Sequence, residues 1–274
     1  MKLYPLLLGR TKVPFGQFYG GLSGWEGLGA LVRFVTDKRH FIWVPIHAYL
    51  LEHPKEGLVL VDAGICPKQA HQHSQYYRGL LRLILDDDEY AQEASEALPE
   101  QLKRLGFHCD DVRTVILTHL HEDHVGSLRD LKKAKVVVSQ TEWNARRMKM
   151  FGFIPTFYEP SYACVEHWQR VGSDSGAFHT FDRNQDLFGD GSVRLLPTPG
   201  HTPGHLSAVI ELGGIPALDY WRLSLYAAAP GDEAGPGGPL QQENGRRTGG
   251  FHQSDRRPQE SSARAVACAR SRPH

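Results

Sequence analysis

The six residues His119-Leu120-His121-Glu122-Asp123-His124 constrain this chain more than any other stretch. Four candidate metal ligands, His119, His121, Asp123 and His124, follow directly on the run Val115-Ile116-Leu117-Thr118. A strand places residues i and i+2 on one side, so His119 and His121 can face one ion as the strand ends. Asp123 and His124 follow on the turn and can face a neighbouring ion. Imidazole and carboxylate donors without a thiolate suit zinc best and admit iron or manganese. The competing explanation is a polar loop that happens to be rich in histidine; the tight spacing and the strand feeding the loop argue against it.

A second cluster has matching character. Leu195-Leu196-Pro197-Thr198-Pro199-Gly200-His201-Thr202-Pro203-Gly204-His205 is a strand end running into a stiff turn. Its prolines fix φ, and its glycines admit backbone conformations that other residues resist. Such a turn can hold His201 in one place, as a third histidine ligand requires. His205 opens the next apolar run and reads as a supporting or core histidine.

Together these motifs resemble the metallo-β-lactamase superfamily, whose pattern is His-x-His-x-Asp-His and, later, a Gly-His in a Pro-Gly turn. The resemblance covers roughly residues 40 to 215 and includes the strand Leu58-Val59-Leu60-Val61-Asp62-Ala63-Gly64. It implies that Asp62 supports the metal loop from behind and that the fold is α+β, a four-layer αββα sandwich. Within the superfamily, Trp43-Val44-Pro45-Ile46-His47-Ala48-Tyr49-Leu50-Leu51 and the turn Thr198 to Ser207 most resemble the N-acyl-homoserine-lactone lactonases. The implied site holds one or two zinc ions. His119, His121 and His201 would take the first and Asp123 and His124 the second. Water acidified by the metal would attack the lactone carbonyl, and the leaving alkoxide would take its proton from Asp123, the expected catalytic residue, or from a zinc-bound water. A glyoxalase II-like thioester hydrolase uses the same motif and is the enzymatic alternative. A β-lactamase with an intact Asp-His pair is a weaker one. A non-catalytic, metal-binding fragment of the fold is the alternative of another class.

Composition narrows the partners. The chain has 274 residues, 41% of them hydrophobic, and 31 basic residues balance 31 acidic ones. No net field draws nucleic acid or an anionic membrane, which leaves the small lactone or ester implied by the resemblance as the expected partner. Cys66, Cys109, Cys164 and Cys268 are scattered without paired spacing and suggest a reduced, cytoplasmic setting. The apolar start Leu3 to Leu8 is too short for a usual signal peptide, and no run is long enough to span a membrane.

Along the chain, residues 1 to 40 read as a lead-in with glycine-rich turns. Strands are expected at Phe41 to His53, Leu58 to Val61, Val112 to Leu117, Lys135 to Ser139, Phe178 to Phe181, Val193 to Leu196 and Leu206 to Leu212. Helices are expected at Glu100 to Gly106, stopped by the glycine, and at Thr141 to Met150, begun by Thr141 as its N-cap. Residues 67 to 94 read as a helical insertion with Tyr77, Leu80, Leu81, Ile84 and Leu85 at helical spacing. His71 and His73 form a second His-x-His, but no strand feeds it and no Asp-His follows, so they read as solvated loop. Lys132, Lys133 and Lys135 read as a solvated face.

The hydrolase domain is expected over 1–215, followed by an aberrant, disordered tail over 216–274. Residues 231 to 274 carry few large apolar side chains and much glycine, proline, arginine and serine. The family resemblance calls for a bridging aspartate in a Thr-Gly-Asp setting and a last histidine. Asp219 is the nearest candidate, without a preceding glycine. Read from the second base, the codons of Asp219-Tyr220-Trp221-Arg222 spell Thr or Ile twice, then Gly, then a set that includes Asp. A shift of frame near Ala217 would explain both the missing motif and the change of composition.

Overall fold

A computed structural model of the chain describes residues 1–14, 41–78, 89–150, 152, 154–212 and 215–218, all within the unit Met1–Gly235. Asp219, the tail beyond it, the proposed shift of frame and most of the helical stripe after Tyr77 lie outside the described residues.

Two sheets form the framework. Strands β1 (Lys2–Pro14), β2 (Phe41–His53), β3 (Gly57–Val61), β4 (Glu89–Ala91), β5 (Val112–Ile116), β6 (Lys135–Ser139) and β9 (Trp168–Val171) make the larger, in the order β4-β1-β2-β3-β5-β6-β9. Strands β10 (Gln185–Asp186), β11 (Val193–Pro197), β12 (Leu206–Leu212) and β13 (Ile215–Leu218) make the smaller, in sequence order. A small hairpin joins β7 (Lys149–Met150) to β8 (Ile154–Pro155). In the larger sheet β3, β5, β6 and β9 run parallel. The apolar runs Leu58 to Val61 in β3 and Val136 to Val138 in β6 follow from that, since a central parallel strand is buried on both faces.

Alternate residues of these strands serve two cores. Val59, Val61, Ile116 and Val137 pack against Val193, Leu195, Leu206, Ala208 and Ile210 of the smaller sheet. Leu58, Leu60, Val115, Val136 and Val138 point the other way and pack with Leu98, Leu102, Leu120, Val125 and Leu128. Those last residues come from helix α3 (Leu98–Arg104), from helix α4 (Glu122–Val125) and from the turns beside α4. The result is a mixed α+β fold with a helical layer on a sheet that is itself packed on a second sheet.

His53, at the end of β2, ties the two sheets. Its Nδ1 accepts from the backbone N–H groups of Lys55 and Glu56. The ring proton therefore sits on Nε2, which donates to Ser192 Oγ at 3.0 Å. Ser192 Oγ donates in turn to Asp190. Despite its Asp-Ser-His membership this set is a structural latch, because a histidine that activates a serine must accept at the nitrogen facing it.

Several expected elements differ. Residues 2–14 are a long strand, not a lead-in. Its alternation is disguised by a bulge between Leu7 and Arg10, where Gly9 has φ +129°. The helix expected at Glu100 begins at Leu98, with Pro99 in its first turn, while Gly106 stops it at φ +83° as expected. The helix expected from Thr141 to Met150 is α5 (Gln140–Ala145), capped by Ser139 rather than Thr141. The chain then turns into β7. Phe178 to Phe181 is one isolated bridge, not a strand. His71 and His73 belong to two short helices, α1 (Pro67–His71) and α2 (His73–Tyr76). His73 lies against the Tyr77 ring with centroids 4.6 Å apart. Lys132, Lys133 and Lys135 are exposed, as read. No helix of the described residues is long and apolar enough to cross a membrane.

Candidate metal centre

The first histidine loop forms where β5 runs out. Leu117 N still bonds to Val137 O across the sheet, but the next amide, Thr118 N, turns onto Asp62 Oδ1 at 2.8 Å. Asp62 sits just past β3 with φ +59°, a left-handed conformation that aspartate tolerates better than most residues. Gly64, at φ +58°, follows it, and a Cβ there would lie 2.5 Å from Leu8 Cδ1. This bend lets Ala63 N bond to His124 O and Gly64 O accept from Gly126 N. The loop and helix α4 are thereby fastened to the end of β3. His121 is the N-cap of α4, with φ −69° and ψ 155°, so Asp123 and His124 stand on a helical turn.

The second loop links β11 to β12. Thr198 N bonds to His205 O at its base, and Gly200 takes φ +147°, which brings His201 back over the first loop. Leu206 N donates to Thr118 O at 2.9 Å and joins the two loops directly.

These bends gather the five histidine and aspartate side chains singled out in the sequence. His119, His121 and His201 form one group, and His119, Asp123 and His124 form another. Within each group the possible ligand atoms lie within 4.8 Å of one another. His121 Nδ1 and His201 Nε2 are 2.7 Å apart, and the His119 ring centroid is 4.0 Å from that of His124. His119 is wholly buried, His121 half-buried and His201 exposed. The centre is thus closed at its base and open on the His201 side. His205 is buried, and its Nδ1 bonds to Thr198 Oγ1 at 2.8 Å. That is a loop-supporting position, as read. His71 and His73 belong to neither group.

Neighbouring groups set the tautomers and charges. Thr118 Oγ1 has one proton and donates it to Asp62 Oδ2 at 2.9 Å. Toward His119 Nδ1, also at 2.9 Å, it must therefore accept. The His119 proton is then on Nδ1 and the lone pair on Nε2, the arrangement a metal ligand needs. His124 Nδ1 donates to Asp62 Oδ2 at 2.7 Å, and its Nε2 lies 3.4 Å from Asp123 Oδ2. Burial alone would push the His124 imidazole down. The carboxylates of Asp62 and Asp123 outweigh it and hold the group up at about 10. Burial would likewise push the Asp123 carboxyl up. The positive His124 beside it, with its hydrogen bond, and the charges of His121 and His201 hold it far below the usual carboxylate range instead. A site that keeps an ionised carboxylate among imidazoles, with no thiolate among its donors, suits a divalent cation such as zinc.

Sequence reasoning missed one participant. Glu142 is fully buried and accepts from Leu120 N in the first loop and Gly204 N in the second. Only a faint signal marked it, the spacing of Ser139 and Glu142 across the start of α5.

Comparison with known proteins decides the family. Residues 42–215 match the metallo-beta-lactamase superfamily. This chain belongs to that superfamily. Among curated relatives it is 27% identical to the N-acyl homoserine lactonase AttM of Rhizobium radiobacter, over 62% of this chain and 60% of the relative. It is 28% identical to the N-acyl homoserine lactonase AiiA of Bacillus thuringiensis subsp. kurstaki, over 61% and 59%. The chain thus spans about 60% of the length of these relatives. Among solved structures it resembles a mutant of B. thuringiensis AiiA with N-decanoyl-L-homoserine bound at the active site. The TM-score is 0.58 at 22% identity, covering 79% of this chain and 73% of that one. An N-acyl homoserine lactone hydrolase with its product N-hexanoyl-L-homoserine at the catalytic metal centre gives 0.57 at the same identity, over 79% and 73%. These likenesses carry the superfamily fold.

Proposed function

We propose that this chain is a zinc-dependent hydrolase that opens the lactone ring of N-acyl homoserine lactones, a quorum-quenching activity. The observation that carries the proposal is the convergence of His119, His121 and His201 from two loops on one open-sided centre, with Asp123 and His124 beside them. The lactonase names of the relatives support the choice of substrate. The absence of cysteine pairing among Cys66, Cys109 and Cys164 supports a cytoplasmic setting.

In this reading His119, His121 and His201 hold a first ion, and Asp123 and His124 contribute to a second. Bound zinc supplies Lewis-acid polarisation of the ester carbonyl and lowers the pKa of water. The chain's own groups do the rest. Asp62 fixes the His124 ring through Nδ1, so that Nε2 faces the centre. Thr118 does the same for His119 through its hydroxyl. Asp123, its side chain 27% exposed, is the carboxylate among the five and rests ionised, so it would first accept the proton given up by the attacking water and then pass it to the alkoxide leaving the opened ring.

The test is lactone opening followed by proton release in a zinc-supplemented preparation, with a glutathione thioester as the comparison substrate. Weak turnover of the lactone and none of the thioester is expected. Preference for the thioester would replace the lactonase reading with a glyoxalase II-like one. Zinc binding without turnover of either would leave a non-catalytic metal-binding member of the fold.

A further inference from the structure

We infer that Glu142 is a positioning residue whose carboxylate clamps the two histidine loops into the spacing that metal binding needs. The inference rests on the metal reading of the site given above and adds a residue to it.

Ser139-Gln140-Thr141-Glu142 has the spacing of a capping box, in which the glutamate at the third helical position returns to the backbone N–H of the cap. Half of that arrangement is present, since Ser139 Oγ accepts from Glu142 N at 2.9 Å. The carboxylate goes elsewhere. Oε1 accepts from Leu120 N at 3.1 Å, and Oε2 accepts from Gly204 N at 3.0 Å. Leu120 stands between His119 and His121, and Gly204 stands between His201 and His205. One side chain therefore holds an amide from each loop, across sequence separations of 22 and 62 residues. Ser139 reinforces the second contact by donating to Gly204 O at 2.6 Å.

Two further facts make this more than helix capping. Glu142 is wholly buried, and a buried carboxylate is costly unless its oxygens are hydrogen-bonded. A cap alone would be served by Ser139 with an exposed residue at this position. Gly204 is also pressed against the start of α5. A Cβ there would collide with Glu142 N and lie 2.5 Å from Glu142 Cα. The second loop thus approaches as far as backbone contact permits, and the carboxylate sets how far.

Glu142→Ala and Glu142→Gln in the full chain test the clamp, read by zinc competition against a chromogenic chelator and by thermal unfolding with chelator and with zinc. Glu142→Ala is expected to bind zinc roughly 10–100-fold more weakly, the range for losing a group that orients ligands. The rise in Tm on adding zinc should shrink with it. Glu142→Gln keeps one carbonyl oxygen but aims an amide N–H at the other donor, so it should fall between wild type and Glu142→Ala. Should Glu142→Ala fail to fold, Glu142→Gln carries the comparison. A lower Tm of the metal-free variants with unchanged zinc affinity and an unchanged zinc-induced rise would reduce Glu142 to packing and overturn the inference. A wild-type chain that takes up no zinc would overturn it together with the metal reading. Zinc affinity that depends on Glu142 in a chain without lactone turnover would uphold the clamp and sink the lactonase reading alone.

Discussion

His124 Nδ1 lies 2.7 Å from Asp62 Oδ2, with both side chains only 7% exposed. The same carboxylate also accepts from Thr118 N and Thr118 Oγ1. Asp62 therefore does two separable jobs, one electrostatic toward His124 and one structural toward the loop.

Asp62→Asn should separate them. Asparagine tolerates the left-handed backbone and keeps an oxygen for Thr118 N, but it removes the charge facing His124. Zinc affinity should fall roughly 10–100-fold with little loss of stability. Asp62→Ala should lose affinity and also about 1–3 kcal/mol of stability, because the buried Thr118 amide is left without its acceptor. Chelator competition and urea unfolding measure the two effects. Equal stability losses in both variants would deny the separation.

The metal-free chain should show a pH signature of this cluster. The His124 group is raised from 6.5 to about 10. Its contribution to stability is thus complete below pH about 6.5 and is lost as pH rises through about 10. The Asp123 carboxyl is lowered from 3.8, so its contribution is present above that value and lost as pH falls through the lower folded one. Urea midpoints in chelator should decline on the alkaline side between pH 7 and 10.5, and His124→Gln should flatten that decline. Zinc must displace the proton on His124, so uptake in weakly buffered solution at pH 7.5 should release acid.

Metal content should fall below two equivalents. His119 belongs to both ligand groups, and each residue offers one ligand atom; when His119 serves the first ion, Asp123 and His124 remain for the second. Elemental analysis checks this, and two full equivalents would mean that residues beyond Leu218 complete the second site. His121→Ala should remove most of the zinc. His73→Ala should leave zinc unchanged, because that ring packs on Tyr77 and stands in neither group.

Gly64→Ala should destabilise the fold by about 1–3 kcal/mol, since the new methyl would meet Leu8 at 2.5 Å on a backbone with φ +58°. Leu8→Ala in the same chain should recover little of that loss, because alanine keeps the Cβ that would lie 2.6 Å from the new methyl. Urea unfolding of the single and double variants measures the coupling.

The parts of this fold that could be read from residues are those in which one physical rule acts alone. The strands Phe41–His53, Lys135–Ser139 and Leu206–Leu212 carry plain apolar patterns and stand where expected. The five candidate ligands could be picked out because His119, His121, Asp123 and His124 stand in tight local spacing and His201 stands in a stiff Pro-Gly turn. β1 was hidden because Gly9 carries a bulge that shifts the register of its alternation. Thr141 lost the cap to Ser139 because a strand's last residue can also cap the helix that follows it. Glu142 could not be found because its role is a relation between two loops, each far from it in sequence, and a helical glutamate ordinarily reads as solvated surface.

The 2.7 Å approach of His121 to His201 spans 80 residues of sequence, and it depends on parallel strands and on two sheets already packed together. Contacts of such range form late, after the entropy of closing the intervening chain has been overcome. The histidine pair is therefore a clock for folding as well as a binding feature. In a refolding experiment, strand and helix signals should recover first. The capacity to capture zinc should trail them, arriving only when the smaller sheet has docked.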